Sequence, residues 1–184
     1  MKGKCFIGIN NSYGDPVHDD KGRLVRYIGR DWVQVLWFGD TCWYDWHHSW
    51  LKSFNGLRCH CVDRLAEKSG FLYLQRGRIM EGLETATGRV AWNRNSGASA
   101  INLAYHLGAA KVVLYGFDMR DVDGCSHWHD DHEIKKPCPH TRFLRCFPAI
   151  KRDAGRLGLE IVNGSPGSAI QEFPFVDPME ALQW

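Results

Sequence analysis

Short apolar runs of strand length alternate along this chain with stretches whose apolar residues recur at helical spacing. Residues 4–9 form the first such run, followed by the turn-rich Asn10-Asn11-Ser12-Tyr13-Gly14-Asp15-Pro16. Residues 19–23 are polar and read as a flexible connection. A second strand is predicted over residues 33–38, closed by Gly39-Asp40. From Trp43 to Phe54 the residues Trp43, Trp46, Trp50, Leu51 and Phe54 fall at helical spacings, which predicts a helix with an aromatic face. Short strands are expected at 58–62 and 71–74, around a brief helical segment. Residues 75–93 show no clear period and read as a loop or a short excursion.

The best-supported unit begins at Asn95-Ser96-Gly97. Ala100, Leu103, Ala104 and Leu107 repeat at i, i+3, i+4 and i+7, with Ser96 as the expected N-cap and Gly108 at the helix end. The apolar run 112–115 then has the composition of a parallel strand covered on both faces. Phe143, Phe147, Ile150 and Ala154 mark a later helix, Gly158 its terminator, and residues 159–162 a final main strand. This repeated helix–strand order predicts an α/β fold, a Rossmann-like three-layer sandwich with a mostly parallel sheet, as a single domain over residues 1–184.

Open α/β sheets bind ligands at the carboxyl ends of their strands. Asn10, Asp40 and Asp118 each follow a predicted strand, so the three would converge on one crevice if those strands are neighbours. Asp118 there is a catalytic candidate, able to meet a ribose, a metal ion or a reacting proton, or else caps the next turn. The Asn95-Ser96-Gly97 turn adds a helix N-terminus whose free amides suit a phosphate. Simple helix capping is the alternative, and both remain open. The run Ser126-His127-Trp128-His129-Asp130-Asp131-His132 is dense in groups that exchange protons near neutral pH, with His127 or His132 as general base or acid. Cys125, His127, His129, His132, Cys138, His140 and Cys146 could alternatively supply a structural zinc site, although their spacing matches no standard finger. His47-His48 on the aromatic helix reads as rim or as satisfied polar groups. Asn163-Gly164-Ser165-Pro166-Gly167-Ser168 follows the last strand and fits either a ligand loop, with Ser168 as donor, or a tight turn.

Composition narrows the partners. A formal charge of +2 with no block of Lys and Arg argues against a dedicated nucleic-acid binder. The densest basic stretch, Arg142 to Arg156, reads as the solvent face of a helix. Eight Trp, nine Phe and six Tyr require an aromatic core or an aromatic pocket. No window approaches a membrane span, and the N-terminal apolar run is too short for a signal peptide. With seven cysteines, at least one stays unpaired, which fits a reducing compartment. The expected location is therefore the cytoplasm.

The segments from Asn95 to Asp118, from Ser126 to His132 and from Asn163 to Ser168 together resemble an uncharacterised phage and prophage family. That family is distantly similar to bacterial CMP-sialic-acid sialyltransferases and to archaeal pterin diphosphokinase-like proteins. The resemblance implies that Ser96, Gly97 and Asp118 take nucleotide-contacting places. It further implies a catalytic histidine at His127 or His132, nucleotide contacts from Gly164, Ser165 and Ser168, and a ligand asparagine at Asn10 or Asn11. Those relatives carry a Gly-x-Gly-Pro-Ser or Ser-Gly-Pro-Ser phosphate loop after a first strand. Residues 5–11 match their second strand, so the expected crevice has no such loop. The implied activity is a nucleotide or nucleotide-sugar dependent, glycosyltransferase-like transfer to an unidentified acceptor, with a divalent cation as cofactor candidate. A non-catalytic nucleotide-binding or sequestering phage protein, a zinc-stabilised structural protein, and a homo-oligomeric state stay open beside it.

Overall fold

Residues 35–38 are buried at all four positions, and the strand they form is the axis of the fold. The structure is a computed structural model that describes residues 3–125 and 139–183. Its strands are β1 (Ile7–Ile9), β2 (Gly14–His18), β3 (Leu24–Gly29), β4 (Val35–Phe38), β5 (Leu57–His60), β6 (Leu72–Tyr73), β7 (Gln75–Arg76), β8 (Arg89–Val90), β9 (Lys111–Leu114) and β10 (Glu160–Asn163). Its helices are α1 (Thr41–His47), α2 (Ser96–His106), α3 (His140–Leu144), α4 (Phe147–Leu157) and α5 (Pro178–Ala181). Strands β1, β4, β5 and β6 pair in parallel, in the order β1-β4-β5-β6, with Ile7 opposite Val35, Val35 opposite Leu57, and Cys59 opposite Leu72. β9 and β10 make a second parallel pair. The result is a mixed α/β arrangement, a central parallel sheet flanked by helices. No helix among the described residues is long and apolar enough to cross a membrane.

Alternation along β4 divides the interior. Val35 and Trp37 face a core with Cys59, Cys61, Leu74, Val90, Ala100 and Leu103. Leu36 and Phe38 face the opposite, aromatic core of Tyr13, Tyr27, Trp43, Leu51 and Phe54. This is the period-two geometry of a strand covered on both sides. A third core joins Ala98 and Ile101 to Leu114, Phe147, Ile150 and Ile161. Helix α2 therefore lies between two cores, and its small residues let neighbours come close. The indole of Trp37 donates to Ser99 Oγ at 2.9 Å. The predicted amphipathic stripe is correct in position but too narrow. Residues 98–104 are all buried, whereas Leu107 is the C-cap and is exposed.

Several predicted elements are corrected by their tertiary surroundings. The N-cap of α2 is Asn95, whose side chain accepts from Gly97 N and Ala98 N, rather than Ser96. The run 10–16 is not one turn. A 3-10 turn spans Asn10–Tyr13, and Pro16 then sits inside β2, which pairs with β3 alone in a two-stranded antiparallel hairpin. Such an edge position tolerates a residue without an N–H. Asp19 holds the hairpin turn by accepting from Lys21 N and Arg23 N. The aromatic helix stops at His47, and a separate 3-10 turn carries Leu51 into the core. Residues 75–93 contain β7 and β8 instead of being wholly loop. The late helix is broken into α3 and α4, with Pro148 in the first turn of α4. Gly158 ends α4 with φ 71°, and the arginines of the basic stretch are exposed as expected.

One buried histidine couples this interior to pH. His60 is fully buried and stacks on Phe38, with ring centroids 5.3 Å apart. Its Nδ1 accepts from Val62 N at 3.2 Å, which leaves Nε2–H to donate to Ser69 Oγ at 2.9 Å. Burial depresses its pKa from 6.5 to about 4. Protonation would also eject the Val62 N–H from Nδ1. Because the folded value lies below the unfolded one, the stabilisation is complete above pH 6.5 and is lost as pH falls toward 4. The expected loss is about 3 kcal/mol. Urea unfolding across this range should show it in the wild type and a much flatter profile in His60→Gln; equal slopes would refute the assignment.

Candidate functional site

The N-terminus of α2 joins the two parallel assemblies. Two consecutive residues with left-handed backbone, Asn93 (φ 56°) and Arg94 (φ 53°), turn the chain into the Asn95 cap. Asn95 Oδ1 accepts from Gly97 N at 2.7 Å and from Ala98 N at 3.2 Å. Ser96 Oγ donates to Asp40 Oδ2 at 3.0 Å. Asp40 occupies the N-cap position of α1 but makes no side-chain cap bond there, so its carboxylate turns across to α2. On the other side, Asn95 Nδ2 lies 3.6 Å from Met119 Sδ, and a Cβ on Gly97 would come within 2.9 Å of the Phe117 ring. Glycine at position 97 is thus required by close approach.

The condition for strand-end convergence is met for only two of the three strands. β1 and β4 are neighbours, whereas β9 pairs with β10. Asp40 and the loop after β9 meet opposite sides of the α2 N-terminus rather than each other. Asn10 adopts φ 52°, and its buried Oδ1 has no partner among the described residues. Asp118 is half-buried; its backbone oxygen accepts from Ala169 N at 2.8 Å. Asn11 lies elsewhere. It is 3 % exposed, accepts from the Trp43 indole at 2.7 Å and lies 2.6 Å from the Tyr27 hydroxyl, so its amide is committed to the aromatic core.

The loop after β10 is likewise held by its own polar groups. Ser165 Oγ accepts from Phe117 N at 2.8 Å, and Ser165 N donates to Asn163 Oδ1 at 3.0 Å. Ser168 Oγ donates to Phe117 O at 2.6 Å and accepts from Ile170 N. Gly164 lies beneath the Tyr115 ring, where a Cβ would approach to 2.9 Å. These residues fasten the loop after β10 to the loop after β9. Arg120 Nε adds a bond to Gly167 O.

His127, His129, His132 and Cys138 lie outside the described residues. Of the remaining metal candidates, Cys125 is exposed, and His140 Nε2 is 3.0 Å from Asp121 Oδ1. The Cys146 thiol is buried, donates to Phe143 O, and is pushed up to about 12 by burial. Among the described residues, no three His, Cys, Asp or Glu side chains are grouped to hold a metal ion. His47 is buried and stacked on Trp43, while His48 is exposed.

Two side chains from the segment read as loop stand at this same edge. Arg76, at the end of β7, donates through Nη2 to Gly39 O at 2.7 Å and through Nε to Cys61 O at 3.0 Å. Its guanidinium stacks on Trp92, 4.2 Å from the ring centroid. Trp92 in turn presses on Gly39, where a Cβ would lie only 2.0 Å from the indole. The charges of Arg76 and Asp40 both act on the Cys61 thiol, which burial raises to about 11. The usable sequence signal was Gly39-Asp40 closing a buried strand; nothing in residues 75–93 marked Arg76. No protein-family model matches the chain, and neither a curated protein nor a solved structure matches it.

Proposed function

We propose that the protein is a nucleotide or nucleotide-sugar dependent transferase of glycosyltransferase type. The observation that supports it most is the Ser96–Asp40 bond, which joins a strand end to the N-terminus of an 11-residue helix. That juxtaposition suits a ligand carrying both phosphate and ribose. The Ser96 amide, the one first-turn N–H that the Asn95 cap leaves without a partner among the described residues, would meet phosphate together with the Ser96 hydroxyl. Asp40 Oδ1, unpartnered among the described residues, would accept from a ribose hydroxyl, and Asp118 would bind ribose or a divalent cation. His127 or His132 would take the proton from the acceptor hydroxyl as the bond from sugar to phosphate breaks and the nucleotide leaves. The finer architecture follows the same reading, a Rossmann-like three-layer sandwich. Ile9 of β1 packs against both the β4 core and the β9–β10 core, which supports it. The free thiols of Cys5, Cys42 and Cys125 are exposed and support a reducing compartment such as the cytoplasm.

A second reading, nucleotide binding without turnover, draws support from the loop after β10. The Ser165 and Ser168 hydroxyls are occupied internally, so that wall offers shape more than chemistry. Calorimetric titration with CMP, UDP, GDP and their sugar conjugates tests both. Binding of at least one is expected, weakened about tenfold by Ser96→Ala or Asp40→Asn, as for loss of one charged hydrogen bond. Wild-type protein that binds none of them overturns both readings. Ligand bound but never consumed, with His127→Ala and His132→Ala changing nothing, leaves only the second.

A further inference from the structure

Arg76 is held in a way that leaves one side of its guanidinium committed and the other open. The Nε and Nη2 hydrogens on one edge are taken by Cys61 O and Gly39 O, carbonyls that follow β5 and β4. The Trp92 indole covers one face at 4.2 Å. The opposite edge, Nη1 together with the second hydrogen of Nη2, has no partner among the described residues, and the side chain is only half-buried. Side-chain freedom has thus already been given up before any ligand arrives. Arginine presents such an edge in the plane and spacing of two oxygens on a phosphate or carboxylate.

Its surroundings fix the direction of the site. Gly39 O, which Arg76 grips, belongs to the residue before Asp40, and Asp40 is bonded to Ser96 at the start of α2. Trp92 O accepts from Asn95 N at 3.4 Å, so the residue whose indole supports Arg76 is tied through its backbone to the α2 cap. The open guanidinium edge and the α2 N-terminus therefore share the carboxyl edge of the sheet. Of the two carboxylates that act on Cys61 beside Arg76, Asp40 is engaged by the Ser96 hydroxyl through Oδ2 and Asp63 by the Tyr73 hydroxyl through Oδ1.

We infer that Arg76 is an anion clamp, with its open Nη1–Nη2 edge binding two oxygens of a phosphate. This names the part of the ligand that the proposed nucleotide site would hold, and it rests on that reading only for the remainder of the ligand. Trp92 and the two carbonyls are positioning groups, since they act through Arg76.

The test uses inorganic pyrophosphate as probe on the full chain. In wild-type protein, pyrophosphate should shift the Arg76 Nε–H and Trp92 indole N–H resonances. Its affinity should drop roughly ten- to a hundredfold in Arg76→Gln, with Arg76→Lys intermediate because a point charge replaces a fork. Arg76→Gln also loses a structural clasp and could fail to fold, so the wild-type titration stands as an independent readout. Pyrophosphate that leaves the Arg76 and Trp92 signals unmoved overturns the clamp. So does a folded Arg76→Gln protein that binds it with wild-type affinity. The parent reading fails separately. Pyrophosphate bound at Arg76 with no nucleotide bound keeps the clamp and removes the nucleotide. A nucleotide bound without moving Arg76 does the reverse.

Discussion

Replacing Asn102 by alanine should destabilise the protein by about 3–5 kcal/mol, the largest stability effect of any single side chain in α2. Asn102 is fully buried, in the middle of that helix. Its Oδ1 accepts from Glu84 N and Ala91 N, each at 2.8 Å, and its Nδ2 donates to Glu84 O at 2.9 Å. One amide therefore ties the backbone of Glu84 to that of Ala91, beside the short β7–β8 pairing. Glu84 and Ala91 are themselves buried, so truncation strands two N–H groups and one C=O away from water. Desolvation of those three groups dominates the loss, with a cavity in the interior adding to it. Asn102→Asp keeps both acceptor bonds but turns a carboxylate oxygen toward Glu84 O and buries a charge, so it should be no better tolerated. Urea unfolding decides this. A midpoint change equivalent to less than about 1 kcal/mol in Asn102→Ala would refute the assigned role. Because the same segment carries Trp92 at its end, the variant should also loosen the support of Arg76.

Gly39→Ala should cost about 3 kcal/mol, although it adds a single methyl. A Cβ there would lie 2.0 Å from Trp92 Cζ3 and 2.4 Å from Cη2. The indole has little room to yield, since Arg76 covers it and is itself anchored to Gly39 O. Relief of the clash should therefore break the clasp and shift Asp40. Trp92→Leu alone loses the cation–π contact and some packing. The double variant Gly39→Ala/Trp92→Leu has space for the methyl, so its loss should fall short of the sum of the single losses by at least about 1 kcal/mol. Strict additivity would show that position 39 acts through something other than this contact.

The pattern of the sequence located most of the elements and few of their junctions. Val35 to Phe38 form a strand because a continuous apolar run buries well on both faces, and this is local information. Val112 to Leu114 also form a strand, but only Leu114 is fully buried, since β9 pairs with β10 alone. Pro16 and the run before it read as a turn because glycine, asparagine and proline favour one. Pairing with Tyr27 across the hairpin overrode that preference. Asn11 and Ser168 look like ligand residues by type and position, yet the core and the loop after β9 have claimed their hydrogen bonds. Arg76 looks unremarkable in sequence because its importance comes from two carbonyls and an indole more than ten residues away.

Asp40 and Ser96, chosen from their separate strand-end and helix-start positions, prove to be bonded to each other. What the sequence determined by itself was the class: alternating strands and helices, a buried parallel sheet, and polar groups at strand ends. Those depend on periodicity and on short-range turn chemistry, both of which are written in neighbouring residues. Tertiary structure alone decided which polar groups stay open and which are spent internally. That choice depends on contacts between residues such as Asn102 and Glu84 or Arg76 and Gly39, whose proximity exists only after the chain has closed.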